Sequence, residues 1–181
     1  MTADDTDVED PLVEVVLLRY PLRLAVRASQ HYEEVFREFA LLAASRAEPA
    51  ESVPVRLLRL IDALGRRYAR QEALEAERDA ALARGEAERD FTIQVPRSVA
   101  SASQVLGTML DETDEFCRKG MLLTLAAPED VVAFRRWYLQ ELVNQIDGGA
   151  PTPWTGPLTR WLAADDPSAR DRRPENPRPL T

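Results

Sequence analysis

The feature that most constrains the fold is a strand–proline–helix–proline–helix pattern that occurs twice along the chain. In its first occurrence, the apolar and β-branched residues 13–20 lead into Pro21 and a long helical pattern, and Pro54 opens a second helix. A unit of this kind buries only one face, so it needs a second copy packed against it to complete a hydrophobic core.

The second occurrence has the same order of elements. Residues 91–95 lead into Pro96 and another amphipathic helix, and Pro128 opens the last helix. We therefore predict a mainly helical α+β domain of about five helices, internally duplicated, with halves at 13–70 and 91–147. A local two-fold axis between the halves would make the pairing of the two strands antiparallel.

The composition predicts one domain between two polar ends. A chain of 181 residues with 45% hydrophobic content suits a single core. Residues 1–10 contain five acids, so we predict an acidic, disordered N-terminus before a domain at 11–150. Residues 71–90 have strong helix propensity and few large apolar groups, which indicates a solvated helix that bridges the halves. Residues 151–181 are rich in proline and charge, which is typical of a tail.

The charge of the chain excludes several classes of partner. A net charge of −8 argues against duplex nucleic acid or an anionic membrane surface as the main partner. No stretch reaches the roughly 18 consecutive apolar residues of a membrane span. The acidic N-terminus lacks the cationic start of a signal peptide, so the expected compartment is the cytoplasm.

No residue pattern predicts an enzyme, and we expect no catalytic, cofactor-binding or metal-binding residue. His31 is the single histidine and lies at the edge of a helical stripe, where a surface or rim position is expected. Cys117 is the single cysteine and lies on an apolar stripe, which indicates a buried small side chain rather than a reactive thiol. The carboxylate pairs of the chain fall mostly on the polar sides of their helices.

An arginine-rich face follows Pro54. It has two interpretations: it docks a carboxylate-rich partner helix or phosphate groups, or it is a solvated face that the chain's own acids neutralise. No glycine-rich loop accompanies it, which argues against nucleotide binding. Its members, opposite the leucines of the same helix, are Arg56, Arg59, Arg66, Arg67 and Arg70.

The last predicted helix is too apolar to lie on a core by one side only. Arg135 projects into the middle of its apolar arc, where an unpaired charge would be very costly, so we predict a buried ion pair. Asp114 and Glu112 flank the stripe of the preceding helix and are the nearest carboxylates, and Asp114 is the candidate partner. The alternative is that this helix also faces a partner. Arg136, Trp137 and Tyr138 are of the residue types that dominate interface hot spots.

Two tryptophans, Trp154 and Trp161, lie in the predicted tail. Large aromatic side chains are scarce where no core exists. Either they fold back over the domain, or they form a short linear motif that docks into another protein. The sequence leaves both interpretations open.

A run that includes the last predicted helix carries a resemblance to a known group of proteins. The run from Asp114 to Leu142 reads DEFCRKGMLLTLAAPEDVVAFRRWYLQEL, and PTPW follows at 151–154. The chain resembles a group of small uncharacterised actinobacterial proteins associated with partner-switching stress regulation, in which anti-sigma kinases, STAS-domain antagonists and PP2C-type phosphatases take part. The resemblance implies cytoplasmic regulation through protein contacts. The ATP motifs of the anti-sigma kinases are missing, so the chain should not be one of those kinases.

Two functions are therefore expected. The leading one is a non-enzymatic regulatory or adaptor protein that contacts a protein partner or a second copy of itself. The alternative is a sensor that holds a small apolar or anionic ligand in a pocket between the two halves. An adaptor would show an exposed apolar patch on the last helix, at 128–147, or an ordered tail contact. A sensor would show a sizeable cavity between the helices at 22–44, 98–119 and 128–147.

Overall fold

A strand followed directly by a long helix occurs twice in the residues that the computed structural model describes, 10–45 and 71–156. The mainly helical α+β class is confirmed, and four helices lie in the described residues. The helix predicted after Pro54, with its five arginines, lies outside them. The elements are β1 (Leu12–Pro21), α1 (Leu22–Ser45), α2 (Gln71–Ala83), β2 (Glu88–Pro96), α3 (Val99–Arg118) and α4 (Glu129–Ile146).

The two strands pair antiparallel, which confirms the prediction. Val13 lies opposite Val95 and Leu17 lies opposite Phe91, so apolar side chains of the two strands share one face. After Leu17 the register shifts, because two residues of β1 lie opposite a single residue of β2. This β-bulge includes Arg19, whose φ of 54° is in the left-handed region and whose N–H donates to Asp90 Oδ1 at 2.7 Å.

The bulge decides which side chains of β1 enter the core. Strict alternation would place Leu17 and Tyr20 on opposite faces of the sheet. The extra residue brings both to the same face, where Leu17 is fully buried and Tyr20 is 6% exposed. Tyr20 meets the rings of Phe91 and Phe134 edge to face, with centroids 5.2 Å and 5.4 Å apart.

The core has two parts. The larger part lies between the sheet and α4, with contributions from α1 and α2. The smaller part lies between α1 and α3 and includes Cys117, which is buried. Its members are Val35, Phe39, Met109, Leu110, Cys117 and Leu122.

Contacts extend past both ends of the predicted domain at 11–150. Asp10, the last residue of the predicted disordered stretch, accepts a hydrogen bond from Ser98 N at 3.2 Å and holds the start of α3. After α4 the chain folds back, and Trp154 N donates to Leu18 O at 3.0 Å. Trp154 is 4% exposed, so the domain continues past the predicted boundary at residue 150. The physical reason is the burial of a large aromatic side chain, which outweighs the polar composition around it.

Among the described residues, no helix combines the length and the apolar composition that a membrane crossing requires.

Candidate functional site

A cleft of about 340 Å³ lies where α1, α2, α3 and α4 meet beside the end of β1. Its volume is at the lower end of the roughly 300–1,000 Å³ that ligand pockets occupy. The apolar wall consists of Ala25, Ala28, Phe36, Leu74, Leu106, Leu110, Phe134 and Leu139. The polar wall consists of Tyr20, Ser29, Tyr32, Glu33, Glu75, Arg78, Arg135 and Tyr138.

Helical spacing positions the cleft residues. On α1, Ala28 and Tyr32 are four residues apart and therefore share a face, and the small side chain of Ala28 leaves room beside the larger ring. On α4, Phe134 and Tyr138 have the same spacing, and Arg135 lies beside them. The sequence thus places three aromatic rings and one guanidinium around a space that alanine leaves open.

Arg135 is the most deeply buried charge at the cleft. Its side chain is 3% exposed, and Nη1 donates to Asp114 Oδ2 at 2.9 Å, where the aspartate is 2% exposed. Nη2 donates to Asp111, which also accepts from Arg136 Nη2 at 3.2 Å. Burial alone would lower the pKa of Arg135, but Tyr32 and the two aspartates outweigh it and raise the pKa. The predicted partners Arg135 and Asp114 are thus in direct contact, and Asp111 joins them.

One N–H group of Arg135, at Nε, has no hydrogen-bond partner among the described residues. Nη1 also donates to the Tyr32 hydroxyl at 2.7 Å, and the guanidinium carbon lies 5.7 Å from the centre of the Tyr32 ring. The Nε atom is buried and has no acceptor in the part of the chain that the structure describes. A buried donor without an acceptor is unfavourable and rare, so this N–H calls for an explanation.

Two tyrosines that line the cleft have hydroxyls without a hydrogen-bond partner among the described residues. Within residues 10–45 and 71–156, neither Tyr20 nor Tyr138 makes a side-chain hydrogen bond, although both line the cleft. Burial raises the pKa of Tyr138 to about 12 and, as the largest cause, raises that of Tyr20 well above its ordinary value. Burial is also the main reason that the pKa of Tyr32 rises to about 12. All three phenols therefore stay protonated at neutral pH and can donate.

Both basic side chains among the described lining residues, Arg78 and Arg135, have carboxylate partners. Glu33 is exposed and Glu75 is half-buried, and both carboxylates line the cleft. Arg78 lies near them and donates to Asp79 Oδ1 at 2.9 Å. Together with the ion pairs of Arg135, this arrangement leaves no unpaired positive charge among the described lining residues.

A second feature lies at the connection between α3 and α4. The Glu38 carboxylate accepts hydrogen bonds from Thr124 N at 2.9 Å and from Thr124 Oγ1 at 2.7 Å, and Leu123 N donates to it as well. Slight burial raises the pKa of Glu38, but these three donors outweigh it and lower the pKa. Residues 121–125, here called the apolar loop, are thereby held with Leu123 at 95% and Leu125 at 82% exposure.

Several of the predicted interaction residues make contacts within the domain. Trp137 and Tyr138 are partly buried and pack on the larger core, and Trp137 Nε1 donates to Thr152 O at 3.0 Å. Trp154 is buried, with its ring centroid 5.6 Å from that of Trp137. Arg136 is exposed and contacts Asp111. Trp161 and the arginines Arg56, Arg59, Arg66, Arg67 and Arg70 lie outside the described residues.

His31 lies on α1 next to Tyr32, which accepts a hydrogen bond from Arg135. It is half-buried, its ring meets Tyr32 edge to face at 5.1 Å, and its Nε2 is buried without a hydrogen-bond partner in the described chain. Burial lowers its pKa, although Asp114 and Glu34 act in the opposite direction. No group of histidine, cysteine or carboxylate side chains in residues 10–45 and 71–156 is arranged to hold a metal ion.

Sequence reasoning missed the role of Tyr20 and the buried pair Glu141 and Gln145. Tyr20 ends an apolar strand, but only the bulge turns it towards the cleft. Glu141 and Gln145 are polar and flank an apolar stripe, where exposure is the ordinary expectation, yet they are 3% and 8% exposed. Their four-residue spacing is the signal that they share a helix face.

Comparison of the chain with protein-family models, curated proteins and solved structures finds no match.

Proposed function

We propose that this protein is a non-enzymatic regulatory protein that senses a small ligand bound in the cleft. One observation carries the proposal: a cleft with largely apolar walls is lined by Tyr20 and Tyr138, whose hydroxyls make no hydrogen bond within the described structure. Ligand sites typically combine an apolar lining with a few polar groups that fix the orientation of the ligand.

The position of the cleft supports a sensing role. It is lined by α1 from the first predicted half, by α2 from the bridge, and by α3 and α4 from the second half. A ligand there contacts both halves at once and stabilises the arrangement in which they pack together. Ligand binding to the folded state raises its stability according to the ligand concentration and the dissociation constant.

A pair of substitutions on α1 tests the proposal. Ser29 lines the cleft, whereas its neighbour Gln30 is exposed and does not. Ser29→Leu should fill the cleft, and Gln30→Leu serves as the matched control. We expect a fragment library screened by ligand-observed NMR to yield binders of the wild type and of Gln30→Leu that Ser29→Leu loses. If no fragment binds, or if all three proteins bind the same fragments, the cleft is not a ligand site.

The second candidate function is a cytoplasmic adaptor that contacts a protein partner or a second copy of the chain, for which the apolar loop is the supporting observation. Leu123 and Leu125 are almost fully exposed, and burying such side chains contributes about 1.5–3 kcal/mol each. The resemblance to partner-switching regulators supports the same role.

Sedimentation of the wild type and of the double substitution Leu123→Ser and Leu125→Ser tests this candidate for self-association. Val105→Ser is the control, because Val105 is an exposed apolar residue on α3, outside the apolar loop. Self-association that only the double substitution abolishes would favour the adaptor. A wild type that stays monomeric at high concentration would remove the second copy as the partner.

A further inference from the structure

We infer that the ligand of the cleft is a small neutral molecule with an apolar body and an oxygen acceptor, such as a ketone, an ester or an amide. This inference rests on the proposed sensing function and adds the chemical class of the ligand. The donors, the charges and the walls of the cleft support it.

Three phenol hydroxyls can donate to a ligand at the cleft. The structure gives the hydroxyls of Tyr20 and Tyr138 no hydrogen bond within its described ranges. The Tyr32 oxygen already accepts from Arg135 Nη1, so its own O–H is a third donor. A ligand oxygen with two lone pairs can accept from two of these groups at once.

The protonation of the phenols fits the same chemistry. Because burial raises the pKa of Tyr32 and of Tyr138 to about 12, both hydroxyls keep their protons over the whole physiological range. The donor character of the cleft is therefore permanent.

The charges disfavour a charged ligand. Arg135 is already neutralised by Asp114 and Asp111, and Glu33 and Glu75 also line the cleft. A ligand carboxylate would lose its hydration and meet further carboxylates without gaining an unpaired cation from the described lining residues. An ammonium group would lose its hydration among the apolar walls, and its charged partners among the described lining residues are Glu33 and Glu75, which are exposed and half-buried.

The walls of the cleft determine the polarity and the size of the ligand body. Phenylalanine, leucine and alanine side chains from α1, α3 and α4 surround the donors, so the ligand body gains by leaving water. The volume of about 340 Å³ limits the ligand to a small molecule. A single ring with a short chain that ends in a carbonyl group satisfies these conditions.

Four compounds with one scaffold test the inference on the full-length protein: 4-phenylbutan-2-one, 3-phenylpropanoate, 4-phenylbutan-2-amine and butylbenzene. They carry a neutral acceptor, an anion, a cation and no polar group, respectively. We expect NMR titration to show the ketone binding about tenfold more tightly than each of the others, because a hydrogen bond to a buried donor is worth about that factor.

Removal of one hydroxyl gives the second arm of the test. Tyr138→Phe should weaken binding of the ketone about fivefold and leave butylbenzene unchanged. Thr108→Val is the control, because Thr108 is an exposed hydroxyl on α3 that does not line the cleft.

The outcomes separate the two proposals. If butylbenzene binds as tightly as the ketone, or if the acid or the amine binds best, the inferred ligand class is wrong and ligand binding in the cleft stands. If none of the four compounds binds and the fragment screen is also empty, both the ligand class and the sensing function are wrong. A ketone affinity that Tyr138→Phe leaves unchanged also overturns the inference.

Discussion

Gln145 on α4 binds both backbone groups of Val16 on β1. Val16 N donates to Gln145 Oε1 and Gln145 Nε2 donates to Val16 O, each at 2.8 Å. Two residues further along, Leu18 O accepts from Trp154 N at 3.0 Å. A side-chain amide and a returning segment thus satisfy the edge of β1 that β2 leaves open, in the place where a third strand would pair.

Substitution of Gln145 should therefore destabilise the fold strongly. Gln145→Leu leaves the N–H and the C=O of Val16 without their partners and also removes the donor to Glu141 Oε2. Each buried unsatisfied group costs about 1–3 kcal/mol, so we expect a loss of about 2–4 kcal/mol in the free energy of unfolding, measured by urea denaturation. Gln140→Leu is the control on the exposed side of α4 and should change little. Equal midpoints for the two variants would contradict this role.

Arg135 and Arg136 should differ sharply despite being neighbours. Arg135 is buried against Asp114, whereas the side chain of Arg136 is 67% exposed and contacts Asp111 at the surface. Breaking a buried pair costs about 3–5 kcal/mol, against about 0–1 kcal/mol for a surface pair. For a domain of this size we expect Arg135→Ala to lower Tm by about 6–20 °C and Arg136→Ala to leave it nearly unchanged. Thermal scans in which the two variants agree would refute the assignment.

Trp154 should behave as a core residue. It is 4% exposed and packs against Phe134 and Trp137, with ring centroids 6.0 Å and 5.6 Å away. Truncating a buried tryptophan to alanine typically costs about 3–5 kcal/mol because it leaves a cavity. We expect Trp154→Ala to lower the free energy of unfolding by that amount and Thr155→Ala, at an exposed position, to lower it very little. Chemical denaturation followed by circular dichroism provides the measurement.

His31 should titrate below its ordinary pKa of 6.5, because burial disfavours the charged imidazole. Asp114 and Glu34 oppose this shift, and Arg135 and Arg27 reinforce it. Since the unfolded chain then binds the proton more readily, stability falls as the pH drops from about 6.5 towards the folded-state pKa. His31→Gln should remove this dependence.

As His31 is the only histidine, NMR can follow its ring protons without assignment ambiguity. A midpoint at or above 6.5 would show that the carboxylates outweigh burial.

Local patterns in the sequence predict much of the fold. The stripe of α1 and the alternation in β1 and β2 indicate the elements directly, and two copies of one unit predict the antiparallel pairing. Arg135 was identifiable because a charge within an apolar arc needs a nearby carboxylate. The contribution of Asp111 and of Tyr32 was not predictable, because it depends on how α1 and α3 are rotated against α4.

The existence and volume of the cleft are harder to predict from the sequence. Small side chains such as Ala28 and large ones such as Phe134 line it together, although they lie on different helices, and only the packed structure shows this. The composition does not decide whether Trp154 docks on the domain or on a partner. The residues that contact it lie on β1 and α4, and neither element is adjacent to it in the sequence.

The backbone torsion of Arg19 has a consequence for the identity of the cleft. In a regular strand of the same length, Arg19 would face the interior and Tyr20 would face water. Because Arg19 adopts a φ of 54°, the two side chains exchange sides, and a phenol takes the position that a guanidinium would otherwise fill. The chemical character of the pocket is thus encoded in a single backbone angle as well as in side chains, so a comparison of residue identities alone would overlook it.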